Sequence, residues 1–192
     1  MIPSDEQLLI DFTSGPSARE AAFQELVRRH GAGVKGFAYR LLHSRDEAEE
    51  VYAETFLRVA QSAARWEPRG TVRAWIFTIA RRLSYDVLRH RTVVRRGESS
   101  VVELERWRGA VPSPEARAQL GQVADRLERA LAQLPEEHRE VVLLRTVHGL
   151  DARETAQAMG VTEDQVNSRL SYARRRLRDI LEGSPRLLVE GA

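Results

Sequence analysis

The sequence predicts an all-α protein made of two helical domains joined by a linker. Three observations predict it. Apolar residues recur at three- and four-residue intervals through most of the chain, whereas no stretch alternates with period two for long enough to form a strand; the Val93-Val94 and Val101-Val102 pairs are the only ambiguous places. The periodicity dissolves from Thr92 to Pro114, where Arg95, Arg96, Gly97, Ser99, Ser100, Gly109, Pro112 and Pro114 suit a linker and Trp107 is a candidate anchor. A chain of 192 residues is long for one helical domain and comfortable for two small ones.

The elements follow in order. Ser4 suits an N-cap before a short helix ending near Phe12. Pro16 or Ser17 opens a second helix, which Gly31 and Gly33 are expected to interrupt, and a third runs to about His43. The fourth follows Ser44 to roughly Ala64, with Ala48, Tyr52, Phe56, Val59 and Ala63 as its buried stripe. The fifth runs from Thr71 to about Arg91 and buries Val72, Trp75, Ile76, Ile79, Ala80, Leu83 and Val87. Beyond the linker, Leu120, Val123, Ala124, Leu127, Ala130, Leu131 and Leu134 mark one face of a long helix. Pro135 ends it and opens the next, which reaches about Val147. Two more lie near Asp151–Met159 and Thr162–Glu182; Gly183 is a stop, and the last residues are expected to fray. The expected domains are residues 1–91 and 115–183, with a linker at 92–114 and a tail at 184–192.

Composition narrows the function. Hydrophobic residues at 42% suffice to build cores, and a net charge of +2 means that any nucleic-acid footprint depends on where charges sit. Lys35 is the only lysine, so nearly every cation is an arginine. With no cysteine, disulfides and thiolate metal sites are excluded. His30, His43, His90, His138 and His148 lack ligand spacing and read as surface histidines, so neither a metal nor a cofactor is expected. The N-terminus lacks a basic segment followed by an apolar run, and no apolar stretch approaches the roughly 20 residues that span a bilayer. No membrane insertion is expected, and the cytoplasm is the expected compartment. No glycine-rich phosphate loop or nucleophile–base pair appears, so the chain does not read as an enzyme.

The sharpest local signal is a helix-turn-helix at 151–170. Ala156 lets two helices approach, Gly160 permits a left-handed turn, and Val166 plugs the second helix into the core. On that second helix Val166, Leu170, Ala173, Leu177 and Leu181 form the buried stripe. Gln165, Ser168, Arg169, Tyr172 and Arg176 face the other way, flanked by Arg174, Arg175 and Arg178. Side chains near the start of such a helix reach base edges, and later arginines hold phosphates. A merely solvated basic face would carry the same charge run.

The N-terminal domain sorts its charge by helix. Glu47, Glu50 and Glu54 line the outer side of the fourth helix near Asp46 and Glu49; such a stripe is either plain surface or a contact for a basic protein. The next segment inverts the sign: Arg65, Arg69, Arg73, Arg81, Arg82, Arg89, Arg91, Arg95 and Arg96 are opposed only by Glu67 and Asp86. Asp86 is expected to pair with Arg82. Trp66, Phe77 and Tyr85 interleave with this run, and exposed aromatics beside arginine suit single-stranded DNA, whereas Trp75 reads as packing.

These blocks together resemble the extracytoplasmic-function (ECF) group of the sigma-70 family over almost the whole chain. Glu47-Ala-Glu-Glu-Val-Tyr-Ala-Glu-Thr-Phe-Leu-Arg58 resembles region 2.2, and Trp75-Ile-Phe-Thr-Ile-Ala-Arg-Arg82 with Asp86 and Arg89 resembles regions 2.3 and 2.4. Leu134-Pro-Glu-Glu-His-Arg-Glu-Val-Val-Leu-Leu-Arg145 and Ser168-Arg-Leu-Ser-Tyr-Ala-Arg-Arg-Arg-Leu177 resemble region 4. The resemblance implies a sigma factor, which directs core RNA polymerase to promoters. It implies that Glu47, Glu50, Glu54, Leu57 and Arg58 dock on the β′ clamp helices and that region 4 meets the β flap. It implies that Trp66, Arg73, Arg82, Tyr85, Asp86, Arg89 and His90 serve −10 recognition and melting, together with the loop at 65–71. It implies that Thr162, Gln165, Asn167, Ser168, Arg169, Tyr172, Arg175 and Arg176 meet the −35 element, that the linker lies in the polymerase channel, and that an anti-sigma factor is a partner. Ala53 stands where the family often has Gln, Arg82 where it commonly has Asn, and Asp164, Gln165 and Asn167 where it usually has Gly, Thr and Lys. Gln165 and Asn167 can each read adenine bidentately, so the −35 sequence is expected to differ from the group's commonest one. The rival expectations are a helix-turn-helix repressor or activator acting without polymerase, and an enzyme with an appended DNA-binding domain.

Overall fold

A computed structural model of the chain describes residues 2–68, 70–95 and 126–183. The first domain holds α1 (Asp5–Ser14), α2 (Pro16–Leu42), α3 (Arg45–Ser62) with a 3₁₀ turn at Ala63–Arg65, and α4 (Val72–Arg95). The second holds α5 (helical over 126–132), α6 (Glu136–Val142), α7 (Ala152–Met159) and α8 (Glu163–Glu182). No strand occurs among the described residues. Most of the expected linker, the first half of the apolar face beginning at Leu120, Trp107 and the tail lie outside the described residues.

Local capping explains the boundaries. Ser4 and Ser44 accept from the backbones of Gln7 and Glu47, and Thr162 accepts from Gln165, so each helix start has an orphan donor satisfied. Gly183 stops α8 in the left-handed region at φ 71°. After α6 the chain makes a wider π-type turn over Leu143–Val147 before α7.

Two expectations are corrected. Gly31 and Gly33 do not interrupt a helix: α2 runs unbroken for 27 residues. Both glycines are points of close packing. A Cβ on Gly31 would stand 3.0 Å from the Tyr52 ring, and one on Gly33 would stand 3.4 Å from Phe77 and 3.5 Å from His148. The helix costs of about 1 kcal/mol per glycine are offset by that approach. The histidines are not all surface residues either. His30 is 8% exposed and bonds Asp5 at 2.6 Å, tying α2 to α1, while His43, His138 and His148 are half-buried and His90 is exposed.

The two domains are also in direct contact. One apolar cluster runs from Leu26, Phe37 and Ile76 in the first to Leu143, Leu150 and Val166 in the second. Helix α4 lies along α7, so the border between the domains passes over the basic helix.

Candidate nucleic-acid interface

Helix α8 presents its polar side to solvent. Ala156 is buried, Gly160 holds φ 68° in the turn, and Val166 is fully buried, so the helix-turn-helix spacing works as expected. Gln165, Asn167, Ser168, Tyr172 and Arg175 are exposed, and Arg169 and Arg176 are half-buried. Thr162 and Gln165 form a reciprocal capping box, which commits the Gln165 carbonyl oxygen to the Thr162 N–H at 3.0 Å. The Arg175 guanidinium sits 5.7 Å from the Tyr172 ring centroid, and His138 packs 4.4 Å from the same ring. Arg169 is held by Glu137 of α6 at 2.5 Å.

The expected docking stripe on α3 is partly committed elsewhere. Glu50 is exposed, Leu57 is 51% exposed, and Glu54 pairs with Arg58 at 2.7 Å, giving an acidic and apolar strip on one helix face. Glu47 turns inward and grips Arg91 of α4 through both oxygens. It braces two helices.

Helix α4 has two faces with different fates. On one, Arg82, Asp86 and Arg89 are exposed, as is His90 beside them. Asp86 pairs with Arg89, not with Arg82 as expected; the three-residue spacing brings that pair together and leaves Arg82 without a partner among the described residues. A pocket of about 330 Å³ opens at the head of this face, lined by Arg58, Gln61, Ser62, Arg65, Trp75, Ile79 and Arg82. Trp75 is half-buried and Trp66 packs against it with centroids 6.5 Å apart.

The second domain covers the other face. Arg73 donates to the Gly149 carbonyl at 2.8 Å and to Glu154 at 3.0 Å, and Thr71 donates to Glu154 at 2.5 Å. Arg81 pairs with Glu140, and the Tyr85 hydroxyl donates to the same carboxylate at 3.0 Å. Phe77 is 2% exposed: it packs on Phe37 and on the His148 ring at 4.9 Å. Phe77 is therefore core, and Tyr85 is a bonded, half-buried phenol; neither is an open stacking platform.

Electrostatics follow from this burial. Desolvation pushes the Glu140 carboxyl above the usual range, although Arg81 and Tyr85 pull it back. Burial, with Glu140 beside it, raises the Tyr85 phenol. Burial first, then the charges of Arg40 and Arg73, lower His148 to about 4, so this imidazole is neutral at pH 7. For Glu154, burial pulls upward, but hydrogen bonds from Thr71, the Asp151 backbone and Arg73 outweigh it and leave the carboxyl below its ordinary value.

Sequence reasoning missed Glu140, Glu154 and His148. The Asp151–Glu154 capping box was legible as a D-x-x-E start signal, and a lone Glu beside the apolar run 141–144 was a mark of a buried charge. Nothing local connects Glu140 to Arg81, 59 residues away. Among the described residues, no group of His, Asp and Glu could hold a metal, and no helix is long and apolar enough to cross a membrane.

Comparison with known proteins fits this layout. Residues 26–93 match the family model for Sigma-70 region 2, and residues 124–177 match that for Sigma-70, region 4. The chain is 35% identical over 182 residues to the ECF RNA polymerase sigma factor SigE of Mycolicibacterium smegmatis, covering 93% of this chain and 70% of that one. It is 34% identical over 176 residues to the ECF RNA polymerase sigma factor SigL of Mycobacterium tuberculosis, covering 88% and 94%. Its fold matches, with a TM-score of 0.69 and 24% identity, the sigma factor RpoE solved in complex with the anti-sigma factor NepR from Bartonella quintana, over 84% of this chain and 98% of that one.

Proposed function

This chain belongs to the ECF group of the sigma-70 family, and from that premise we propose how its surfaces divide the work of promoter recognition. It is an RNA polymerase sigma factor. The α3 strip of Glu50, Glu54, Leu57 and Arg58 docks on the β′ clamp helices, while Glu47 holds α3 and α4 in register through Arg91. Region 4, residues 115–183, meets the β flap and carries α8 into the major groove of the −35 element. There Asn167 reads adenine, with Gln165 and Ser168 beside it, and Arg175 and Arg176 hold phosphates. Arg169 joins once it leaves Glu137.

Region 2, residues 1–91, reads the −10 element. The pocket beneath Arg82 takes an extruded base between Trp75 and Ile79, which offsets an unstacking cost of a few kcal/mol. Arg58, Arg65 and Arg82 supply donors, and Gln61 and Ser62 can both donate and accept, so the pocket can bond the polar edge of an extruded base. Each domain alone offers few contacts; polymerase holds both, so the second contact is intramolecular and gains effective concentration. The linker at 92–114 runs through the polymerase between them. The factor catalyses nothing, uses no cofactor and works in the cytoplasm with polymerase. An anti-sigma protein is its expected antagonist, as NepR is the partner of the solved relative.

The observation that carries this reading is α8, a capped helix whose polar face stands clear in solvent. Run-off transcription with core polymerase on randomised promoters tests it, because a sigma factor returns two conserved elements at fixed spacing. A chain that ignores core polymerase and binds a duplex operator unaided is instead the helix-turn-helix regulator. Reversing charge at Glu50 and Glu54 is expected to abolish holoenzyme formation in a gel-shift assay without altering the circular dichroism spectrum; normal assembly would refute the docking strip.

A further inference from the structure

We propose that Gln165 is a specificity-determining residue for the −35 element, and that its own helix cap restricts it to base edges that present acceptors. This rests on the reading of α8 as the helix that enters the major groove, and goes beyond it by naming the bases that suit the helix start. Two reciprocal bonds build the restriction. The Gln165 backbone N–H donates to the Thr162 hydroxyl at 3.2 Å, and the Thr162 backbone N–H donates to Gln165 Oε1 at 3.0 Å. The amide cannot be turned around in this cap, because its Nε2 would then face another donor. The oxygen is committed within the helix start, and the NH2 group is left for DNA.

Thr162 and Gln165 are both exposed at the start of α8, the part of such a helix whose side chains reach base edges. An unconstrained Gln meets adenine with two bonds, accepting from N6 and donating to N7. Gln165 lacks the first of these. Turning its oxygen to N6 would leave the Thr162 N–H without an acceptor at a helix start that DNA covers. Guanine presents N7 and O6, two acceptors that one NH2 group can serve, and thymine presents O4. Cytosine presents its N4 donor and opposes the NH2 group. On the strand that Gln165 faces, the expected order is guanine, thymine, adenine and, last, cytosine.

Asn167 is the internal contrast. It lies two residues further along and about 200° around the helix, so it meets a different base pair. It is exposed and takes no part in the cap, so both halves of its amide can serve adenine. Glu163 and Asp164, the exposed acidic residues of the first turn, carry acceptors, which leaves the Gln165 NH2 group as the side-chain donor of that turn. Two side-chain amides with the same chemistry therefore read different bases, and the cap is what separates them.

The test reads base preference. Holoenzyme formed with the full chain is titrated by fluorescence anisotropy onto promoters that carry each base in turn at every −35 position. Gln165→Ala identifies the position it reads as the one whose preference disappears; retention of every preference would overturn the contact. Gln165→Glu keeps the cap, since a carboxylate oxygen accepts from the Thr162 N–H, and exchanges the NH2 group for a second acceptor. Its added charge weakens all sequences alike, so the ratio of affinities for guanine and cytosine at that position is the quantity compared. The ratio is expected to fall about tenfold, with preferences at the other positions unchanged. An unsubstituted chain that prefers adenine or cytosine there, or an unchanged ratio in Gln165→Glu, would overturn the proposal. If the unsubstituted chain does not assemble with core polymerase, it is the sigma-factor reading that fails, and the same duplexes titrated with the chain alone decide the Gln165 base by the same ratio.

Discussion

The two helices proposed to touch promoter DNA are prepared differently. Helix α8 is finished within its own domain: its cap, its turn at Gly160 and its plug at Val166 lie within a few residues of one another, and the partners of its polar face, Glu137 and His138, come from the same domain. Helix α4 is finished only by what the other domain does, since Arg73, Arg81 and Tyr85 have partners from region 4. A reading surface built inside one domain is ready at all times. A surface built at a domain border depends on how the two domains meet.

The largest effect expected from this difference is at Arg81. If the helix face were open, Arg81→Ala would be a surface change worth within about 0.5 kcal/mol. As the cation of a fully buried carboxylate, its loss is expected to weaken domain closure by up to about 3–5 kcal/mol, limited by the free energy of closure itself. Urea unfolding should then separate from one transition into two, and small-angle scattering should show an expanded chain. A single transition at the unsubstituted midpoint would break the comparison.

The next effect is on α8, at the exposed Asn167 and Arg175. Asn167→Ala is expected to cost about 1–3 kcal/mol at one −35 position and to relax base preference there. Arg175→Ala should instead weaken all sequences alike and reduce the slope of log affinity against log salt by about one. Fluorescence anisotropy of holoenzyme on −35 variants at several salt concentrations separates the two. A uniform loss from Asn167→Ala would make it a backbone contact.

What the sequence disclosed follows the same division. Ser4, Ser44, Thr162 and Gly183 announce helix ends because capping acts over three or four residues. The helix-turn-helix was legible for that reason, and so was the all-α class. Gly31 and Gly33 misled because propensity treats a helical glycine as a cost, and only the tertiary structure reveals the Tyr52 and Phe77 rings that require it. Phe77 read as an exposed aromatic in a basic run, yet the covering residues Phe37 and His148 come from elsewhere in the chain. Glu47, Glu50 and Glu54 share a helical face, but only the fold shows that Glu47 is committed to Arg91. Pairings that span the two domains have no local signature.

His148 gives the smallest and most specific expectation. Its imidazole is held at about 4 with region 4 closed against α2 and α4, compared with an ordinary value of about 6.5 when solvated. A group whose value is depressed by closure favours the closed form above the higher value and gives up that contribution as pH falls toward the lower one. Acidification from pH 7 to 5.5 is therefore expected to weaken closure by about 1 kcal/mol through this residue. His43, lowered by burial and by Arg139 and Arg91, acts in the same direction. Glu140, raised by burial, acts against it, because protonating that carboxyl relieves the cost of enclosing it. Glu154, lowered overall, joins the histidines only in more acidic solution. His148→Phe fills the same space between Phe37 and Phe77 without titrating, so it isolates the imidazole. With donor and acceptor dyes on the two domains, the unsubstituted chain should open further than the His148→Phe chain over this range. Identical curves would mean that closure does not sense protons at this position.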